Sequence, residues 1–350
     1  MASRIRVLVV DDSALMRQVL GSLLARDPSI EVIGAASDPY VARDKIRDLN
    51  PDVLTLDVEM PRMDGLSFLE KLMRAHPMPV VMVSSLTEAG CDTTLRALEL
   101  GAVEFVTKPK LDLRERLPEV AREVATKIKA AALAKVRPAA GVPPVVAPRS
   151  AAPPARGAML KTTQQIIAVG ASTGGTEALR EFLAVLPADC PGIVVVQHMP
   201  EKFTRAFADR LDGLCTVRVK EAEEGDRVIA GHVLIAPGSH HMRLAREGAT
   251  YLVRLVEDPP VNHHRPSVDV LFHSCAETAG RNVIGVLMTG MGDDGARGLL
   301  AMRAAGARTL AQDEATCVVY GMPKAAIDLG AAEQVLPLGR LAEAALRLAA

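Results

Sequence analysis

No run of apolar residues in the 350-residue chain approaches the roughly 18 to 20 that a membrane span requires. The five cysteines, Cys91, Cys190, Cys215, Cys275 and Cys317, include no C-x-x-C pair. The first absence predicts a protein not embedded in a membrane, and the second argues against a disulfide framework or a zinc ribbon. An excess of charge is lacking too: 41 Lys plus Arg stand against 42 Asp plus Glu, a formal net charge of −1. Binding held mainly by nucleic-acid phosphates needs clustered basic residues, so no nucleic-acid partner is expected. Met1 leads into the strand-like stretch Ile5 to Val10 without the apolar core of a secretory signal. Together with scattered, unpaired cysteines, this predicts a cytoplasmic location. With 49% hydrophobic and 24% charged residues, the composition is that of an ordinary soluble globular protein of two to three domains.

The chain divides at a change of character. Between about Arg137 and Gly157, Pro138, Pro143, Pro144, Pro148, Pro153 and Pro154 mix with Ala, Gly and Val, without one acidic residue. Such a stretch cannot bury enough apolar surface to offset its ordering entropy, and it reads as a linker. The expected organisation is a first domain over residues 1–130, a Pro/Ala-rich linker over 131–160 and a second domain over 161–350. In the first, apolar runs at Arg6 to Val10, Ile30 to Ala35, Val53 to Leu56, Val80 to Val83 and Glu104 to Thr107 alternate with helical patterns such as Ala14 to Ala25 and Gly65 to Ala75. Five β/α units predict a doubly wound parallel sheet. The second domain repeats the α/β pattern, with strand-like runs at Ile166 to Val169, Ile193 to Val196, Val233 to Ile235, Tyr251 to Val256 and Val283 to Met288.

Polar groups stand at the ends of the first set of runs: Asp11 and Asp12, Asp57, Ser84 and Lys108. All would lie at the carboxyl edge of a parallel sheet, where open α/β folds bind ligands. Phosphoryl transfer to a carboxylate needs a divalent cation, donors for the phosphoryl oxygens and an in-line nucleophile. Asp57 would be that nucleophile, Asp11 and Asp12 the holders of Mg²⁺, and Ser84 and Lys108 the phosphoryl-binding groups. Singly, each has a plainer reading, Asp12 as a helix N-cap, Asp57 as a turn residue and Lys108 as a solvated charge. The joint pattern resembles a bacterial response-regulator receiver domain over roughly residues 4 to 125. The matching words are Val10-Asp11-Asp12-Ser13, Leu56-Asp57-Val58-Glu59-Met60-Pro61, Met63-Asp64-Gly65, Val83-Ser84-Ser85 and Phe105-Val106-Thr107-Lys108-Pro109. The resemblance implies a flavodoxin-like fold and phosphorylation of Asp57 by a chemotaxis histidine kinase. It also implies Mg²⁺ on Asp12, Asp57 and the main-chain carbonyl of Glu59, switch rearrangements at Ser84 and Phe105, and a cis bond before Pro109.

Three words end strand-like runs after the linker: Gly170-Ala171-Ser172-Thr173-Gly174-Gly175, Gln197-His198-Met199-Pro200 and Thr289-Gly290-Met291-Gly292-Asp293-Asp294-Gly295. They offer a serine nucleophile, a histidine base and an orienting aspartate, with unpaired N–H groups where a helix starts after the serine. The same loop could cradle a phosphate, His198 could be an edge histidine, and Asp293 or Asp294 could be turn residues. Residues from about 164 to 348 resemble the catalytic domain of the chemotaxis protein-glutamate methylesterases. The resemblance places a triad on Ser172, His198 and Asp294, and an oxyanion donor on the Met291 main-chain N–H. Matching words Ile235-Ala236-Pro237-Gly238 and Pro259-Pro260-Val261-Asn262 with Arg265-Pro266-Ser267-Val268-Asp269 are implied to line the cleft, Gly321-Met322-Pro323 matches as well, and His263 stands where a basic Arg is expected.

The implied function is a Rossmann-like, mostly parallel α/β serine hydrolase that removes methyl esters from glutamyl residues of methyl-accepting chemoreceptors. It would also deamidate receptor glutamines, with no cofactor for the hydrolytic step. The expected regulation is that the unphosphorylated receiver blocks access to Ser172. Two rival readings are a transcriptional regulator and a receiver-gated peptide binder. Residues 161–350 carry 19 basic against 22 acidic residues, which speaks against the first.

Overall fold

The computed structural model describes residues 4–60, 63–85, 87–108, 117–136 and 165–350. The linker stretch from Arg137 to Gly157, Pro61 and Pro109 lie outside the described residues. The chain forms two compact units, Met1–Val142 and Pro143–Ala350.

The first unit alternates β1 (Ile5–Val10), α1 (Ala14–Leu24), β2 (Ile30–Ala36), α2 (Pro39–Leu49), β3 (Val53–Asp57), α3 (Gly65–Ala75), β4 (Val80–Ser84), α4 (Glu88–Glu99), β5 (Glu104–Thr107) and α5 (Leu117–Ala132). Its five parallel strands run in the order β2-β1-β3-β4-β5. β3 and β4 are buried along their whole length because helices cover both faces of the sheet. Side-chain caps start the helices: Ser13 accepts from the Met16 N–H, Asp38 from Tyr40 and Val41, Asp64 from Ser67 and Thr87 from Gly90. The order reverses between β1 and β3, so the switch point of the sheet lies between the ends of the strands that carry Asp11, Asp12 and Asp57.

The second unit contains β6 (Ile166–Ala171), α6 (Gly175–Ala184), β7 (Gly192–Gln197), α7 (Phe203–Asp212), β8 (Arg218–Glu221), β9 (His232–Ile235), β10 (His241–Glu247), β11 (Thr250–Val256), α8 (Val268–Ala279), β12 (Val283–Leu287), α9 (Ala296–Ala304), β13 (Arg308–Gln312), α10 (Met322–Asp328), β14 (Gln334–Leu336) and α11 (Leu338–Ala349). Seven strands run β14-β13-β12-β6-β7-β9-β8, every ladder parallel. β10 and β11 form a separate antiparallel hairpin. Val268, Leu271, Phe272 and Cys275 of α8 pack with Leu287 of β12 and Leu299 and Met302 of α9 in one buried core. Here the order reverses at β6 and β12. Ser172, His198 and the Thr289–Asp294 stretch therefore follow three neighbouring strands, β6, β7 and β12.

Two glycines of the first unit should respond oppositely to a methyl group. Gly21 sits inside α1 with nothing within 4 Å of an added Cβ, whereas a Cβ at Gly65 would stand 2.2 Å from the Asp57 main-chain oxygen. We expect Gly21→Ala to stabilise by about 0.5–1 kcal/mol and Gly65→Ala to destabilise by roughly 1–3 kcal/mol, read as opposite shifts of the urea midpoint.

Candidate functional sites

At the receiver-like sheet edge, Asp11, Asp12 and Asp57 each offer an oxygen, all within 4.8 Å of one another, and could hold a metal ion. Asp11 and Asp57 are fully buried, while Asp12 is exposed. Lys108 places Nζ 2.8 Å from Oδ1 and 2.9 Å from Oδ2 of Asp57, and the Glu59 N–H donates to Asp57 Oδ1 at 3.2 Å. Asp11 Oδ1 accepts from the Ser13 N–H at 2.9 Å, but its Oδ2 is buried with no partner. Burial, then the neighbouring Asp57 charge, raises the Asp11 carboxyl to about 6. Burial also raises Asp57, against the opposing pull of Lys108. A buried oxygen without a donor, in a crowd of carboxylates, is what a hard cation relieves, so the donor set fits a divalent metal.

Two of the expected switch residues are engaged elsewhere. Ser84 is fully buried at the end of β4, and its Oγ accepts from Thr94 of α4 at 2.6 Å and lies 3.2 Å from the Gly90 carbonyl. It is committed to α4 rather than to Asp57. Phe105 is buried in β5, its carbonyl accepting from Lys127 of α5 at 2.6 Å, and the same ammonium lies 4.8 Å from the ring centroid.

In the second unit the three words do meet. His198 Nδ1 stands 3.1 Å from Ser172 Oγ, and His198 Nε2 stands 2.8 Å from Asp294 Oδ2. Asp294 also accepts from Asn262 Nδ2 (2.8 Å), Ser267 Oγ (2.8 Å) and the N–H groups of Val268 (2.7 Å) and Asp269 (3.2 Å). Burial alone would raise this carboxyl, but the His198, Asn262 and Ser267 hydrogen bonds and the His198 charge together hold it well below the usual carboxylate range. An ionised Asp294 can only accept, so Nε2 carries the imidazole proton and Nδ1 presents a lone pair to the serine hydroxyl. The ring is thus turned the opposite way from the arrangement in which Nε2 faces the serine. His264 stacks on His198 with ring centroids 3.7 Å apart and planes 10° from parallel.

The serine turn is anchored from several sides. Ser172 donates its N–H to the Thr289 carbonyl (3.0 Å), and its own carbonyl accepts from the Gly175 N–H (2.7 Å) and Gln197 Nε2 (2.9 Å). Thr289 Oγ1 in turn donates to the Thr173 carbonyl at 3.0 Å. A Cβ at Gly290 would stand 2.7 Å from Ser172 Cβ and 2.2 Å from Met322 Sδ, so only glycine fits there. The next main-chain N–H, that of Met291, is engaged in no backbone hydrogen bond among the described residues. Asp293 is exposed and its carbonyl accepts from Ala296, a turn residue before α9.

Sequence reasoning identified the Ser, His and Asp words but not what holds them. Gln197 and Thr289 lie inside quoted words without a role, and Asn262, Ser267 and Asp269 were expected only as cleft or matching residues. The one available signal was their density in the single stretch 259–269.

The sequence profile of the CheB methylesterase family matches residues 167–345, and that of the response regulator receiver domain matches residues 7–118. Protein-glutamate methylesterase/protein-glutamine glutaminase 2 of Cupriavidus pinatubonensis is 59% identical over 337 residues, covering 96% of this chain and 94% of that relative. The protein of the same name from Pseudomonas aeruginosa is 58% identical over 346 residues, 99% of this chain and 97% of its own length. The crystal structure of the Thermotoga maritima CheB methylesterase catalytic domain superposes with a TM-score of 0.52 at 40% identity, covering 53% of this chain and 99% of that one.

The two buried acids should act on stability with opposite sign. Asp11 has a folded pKa above its unfolded one, so the metal-free protein loses stability as pH rises from about 4 through 6. Asp294 has a folded pKa below its unfolded one, so its contribution is present above about pH 4 and is lost as pH falls below it. In urea titrations with a chelator, Asp11→Asn should stabilise by ~2–3 kcal/mol at pH 7 and by little at pH 4. Asp294→Asn should destabilise at pH 7, with the deficit shrinking towards pH 3.

Proposed function

The chain belongs to the CheB methylesterase family, with a response regulator receiver domain ahead of the esterase domain, and from this we propose how its two sites divide the work. It is a protein-glutamate methylesterase and protein-glutamine glutaminase, a hydrolase of chemotactic adaptation. We assign residues 1–130 to the receiver, 131–160 to a linker and 161–350 to the catalytic domain.

The observation that carries the hydrolytic reading is the unbroken chain from Ser172 Oγ through both nitrogens of His198 to Asp294. Ser172 attacks the ester carbonyl of a receptor glutamyl methyl ester while Nδ1 of His198 takes its proton. Asp294 stabilises the imidazolium through Nε2. The tetrahedral oxyanion accepts from the Met291 N–H, a fixed main-chain donor on the loop that Gly290 brings against the serine. Nδ1 returns the proton to the departing methoxide, methanol leaves, and an acyl-enzyme remains on Ser172. A water then gives one proton to Nδ1 and attacks the acyl carbonyl, and Nδ1 passes that proton to Ser172 Oγ as the acyl–oxygen bond breaks and the glutamate is freed. With a glutamine side chain the same steps release ammonia. The hydrolysis draws on protein groups and water alone.

In the receiver, Asp57 accepts a phosphoryl group from a chemotaxis histidine kinase. Mg²⁺, held by Asp11, Asp12, Asp57 and the Glu59 carbonyl, would neutralise charge on the transferred group. Lys108 remains beside Asp57 to bind a phosphoryl oxygen. Ser84 leaves Thr94 to bind another, and Phe105 rearranges with it. The substrates are methyl-accepting chemoreceptors. Among the described residues no helix is long and apolar enough to cross a membrane, and the five free cysteines fit a reducing cytoplasm.

Methanol release from methylated chemoreceptor membranes tests both halves. Wild-type protein should release more with Mg²⁺ and a small-molecule phosphodonor than without. Asp57→Asn should keep the basal rate and lose the increase, and Ser172→Ala should lower turnover by about 10⁴-fold or more. A Ser172→Ala protein that still turns over would remove the acyl-enzyme from the scheme.

A further inference from the structure

A second buried acid stands beside Asp294. Asp269, in the first turn of α8, is 5% exposed, and Asp294 is 2% exposed. Asp269 Oδ1 accepts from the Gly298 N–H of α9 at 2.6 Å, while Asp294, which precedes α9, accepts from the first two N–H groups of α8. Each acid therefore caps the other's helix. Neither formal N-cap residue, Ser267 or Gly295, makes a side-chain cap bond of its own.

Two neighbouring carboxylates repel each other, and one side chain donates to both. Asn262 Nδ2 stands 2.8 Å from Asp269 Oδ2 and 2.8 Å from Asp294 Oδ1, so the two protons of one amide serve both acids. The backbone holds that amide in place. Asn262 and His263 have φ of 51° and 67°, a left-handed conformation that Asn tolerates, and Val261 and His264 close the turn with paired backbone hydrogen bonds of 2.9 and 3.0 Å. Besides His198, the donors to Asp294 at Ser267, Val268 and Asp269 all belong to the head of α8. Among the described residues Asn262 alone approaches from the separate turn, and it joins Ser267 Oγ and the Asp269 N–H on Oδ1 while Oδ2 faces His198 Nε2.

We propose that Asn262 is a positioning residue for ester hydrolysis: its amide, shared between Asp294 and Asp269, fixes the Asp294 carboxylate against His198. The proposal rests on the Ser172–His198–Asp294 reading. Asn262 acts through Asp294 and touches no reacting atom, so its removal should be felt in kcat and leave KM alone. It should also be felt in His198. A carboxylate that loses a donor presents more negative charge to Nε2, so the pH profile of kcat should change with it. The other charged or titratable groups around this cluster are Asp269, with His273 of the same helix near it, His264 stacked on the ring, and His241, whose Nδ1 accepts from the Ser267 N–H and which has Arg265, Asp258 and Arg243 around it.

The test uses the phosphorylated full-length protein and methanol release from methylated chemoreceptor membranes across pH. Asn262→Gly keeps the left-handed backbone and deletes the amide. It should lower kcat by roughly 10- to 100-fold with KM within about two-fold, and move the acid limb of the kcat profile to higher pH. Asn262→Asp, similar in size but adding a third negative charge, should move that limb further. An unchanged kcat, or a loss carried wholly by KM, would overturn the proposal. If Asn262→Gly does not fold, an Asn262→Asp profile that superimposes on the wild type overturns it equally. Ser172→Ala run in parallel separates the two ideas: turnover there breaks the triad reading itself, whatever Asn262 does.

Discussion

A buried carboxylate kept ionised is the constraint around which the catalytic unit is arranged. Removing a charge from water is expensive unless every lone pair is met, and Asp294 is met by two side chains, two helix-terminal N–H groups and the imidazole. The dipole of α8 adds to the same end. From that ionisation the rest follows. Nε2, which faces Asp294, must carry the proton, so Nδ1 presents a lone pair to Ser172 and the hydroxyl must donate. The direction of proton flow is thus set before substrate arrives, by groups that never touch it.

The receiver site solves the opposite problem. Its carboxylates are crowded and one oxygen is left without a donor, so they are held in a condition that a cation or a proton improves. Lys108 restrains the nucleophile but leaves Asp11 unpaid, and Ser84 is occupied with Thr94. One site is finished and the other is poised, which suits a catalyst and a switch respectively.

Much of this was legible in the sequence because the informative residues sit at strand ends. Apolar runs bounded by polar residues located ten of the fourteen strands among the described residues, and the extent of α3 matches its expected bounds. β8, β10, β13 and β14 escaped notice. β8 is Arg-Val-Lys-Glu and β14 spans three residues, so neither has a readable period, and both are strands only because a neighbour pairs with them. The linker over 131–160 lies mostly outside the described residues, and α5 extends to Ala132. The Ser, His and Asp words could be picked out, but the exchange of caps between α8 and α9 could not. It depends on two helix starts meeting in space, and short polar residues give the same signal in any turn. The commitment of Ser84 to α4 was hidden for the same reason.

The exchanged caps also bear on how this region moves. In many proteins, functional elements are drawn from the segments that open most readily. Here the first turn of α8 cannot fray without uncovering the acid that caps it, and α9 cannot fray without releasing Gly298 from Asp269. The two helix starts therefore share a single opening event, and the catalytic acid lies within it. Amide protons at the heads of both helices should exchange with solvent at a common, slow rate. Any opening of the cleft therefore has to spare this junction, which leaves the proton relay as a fixed floor.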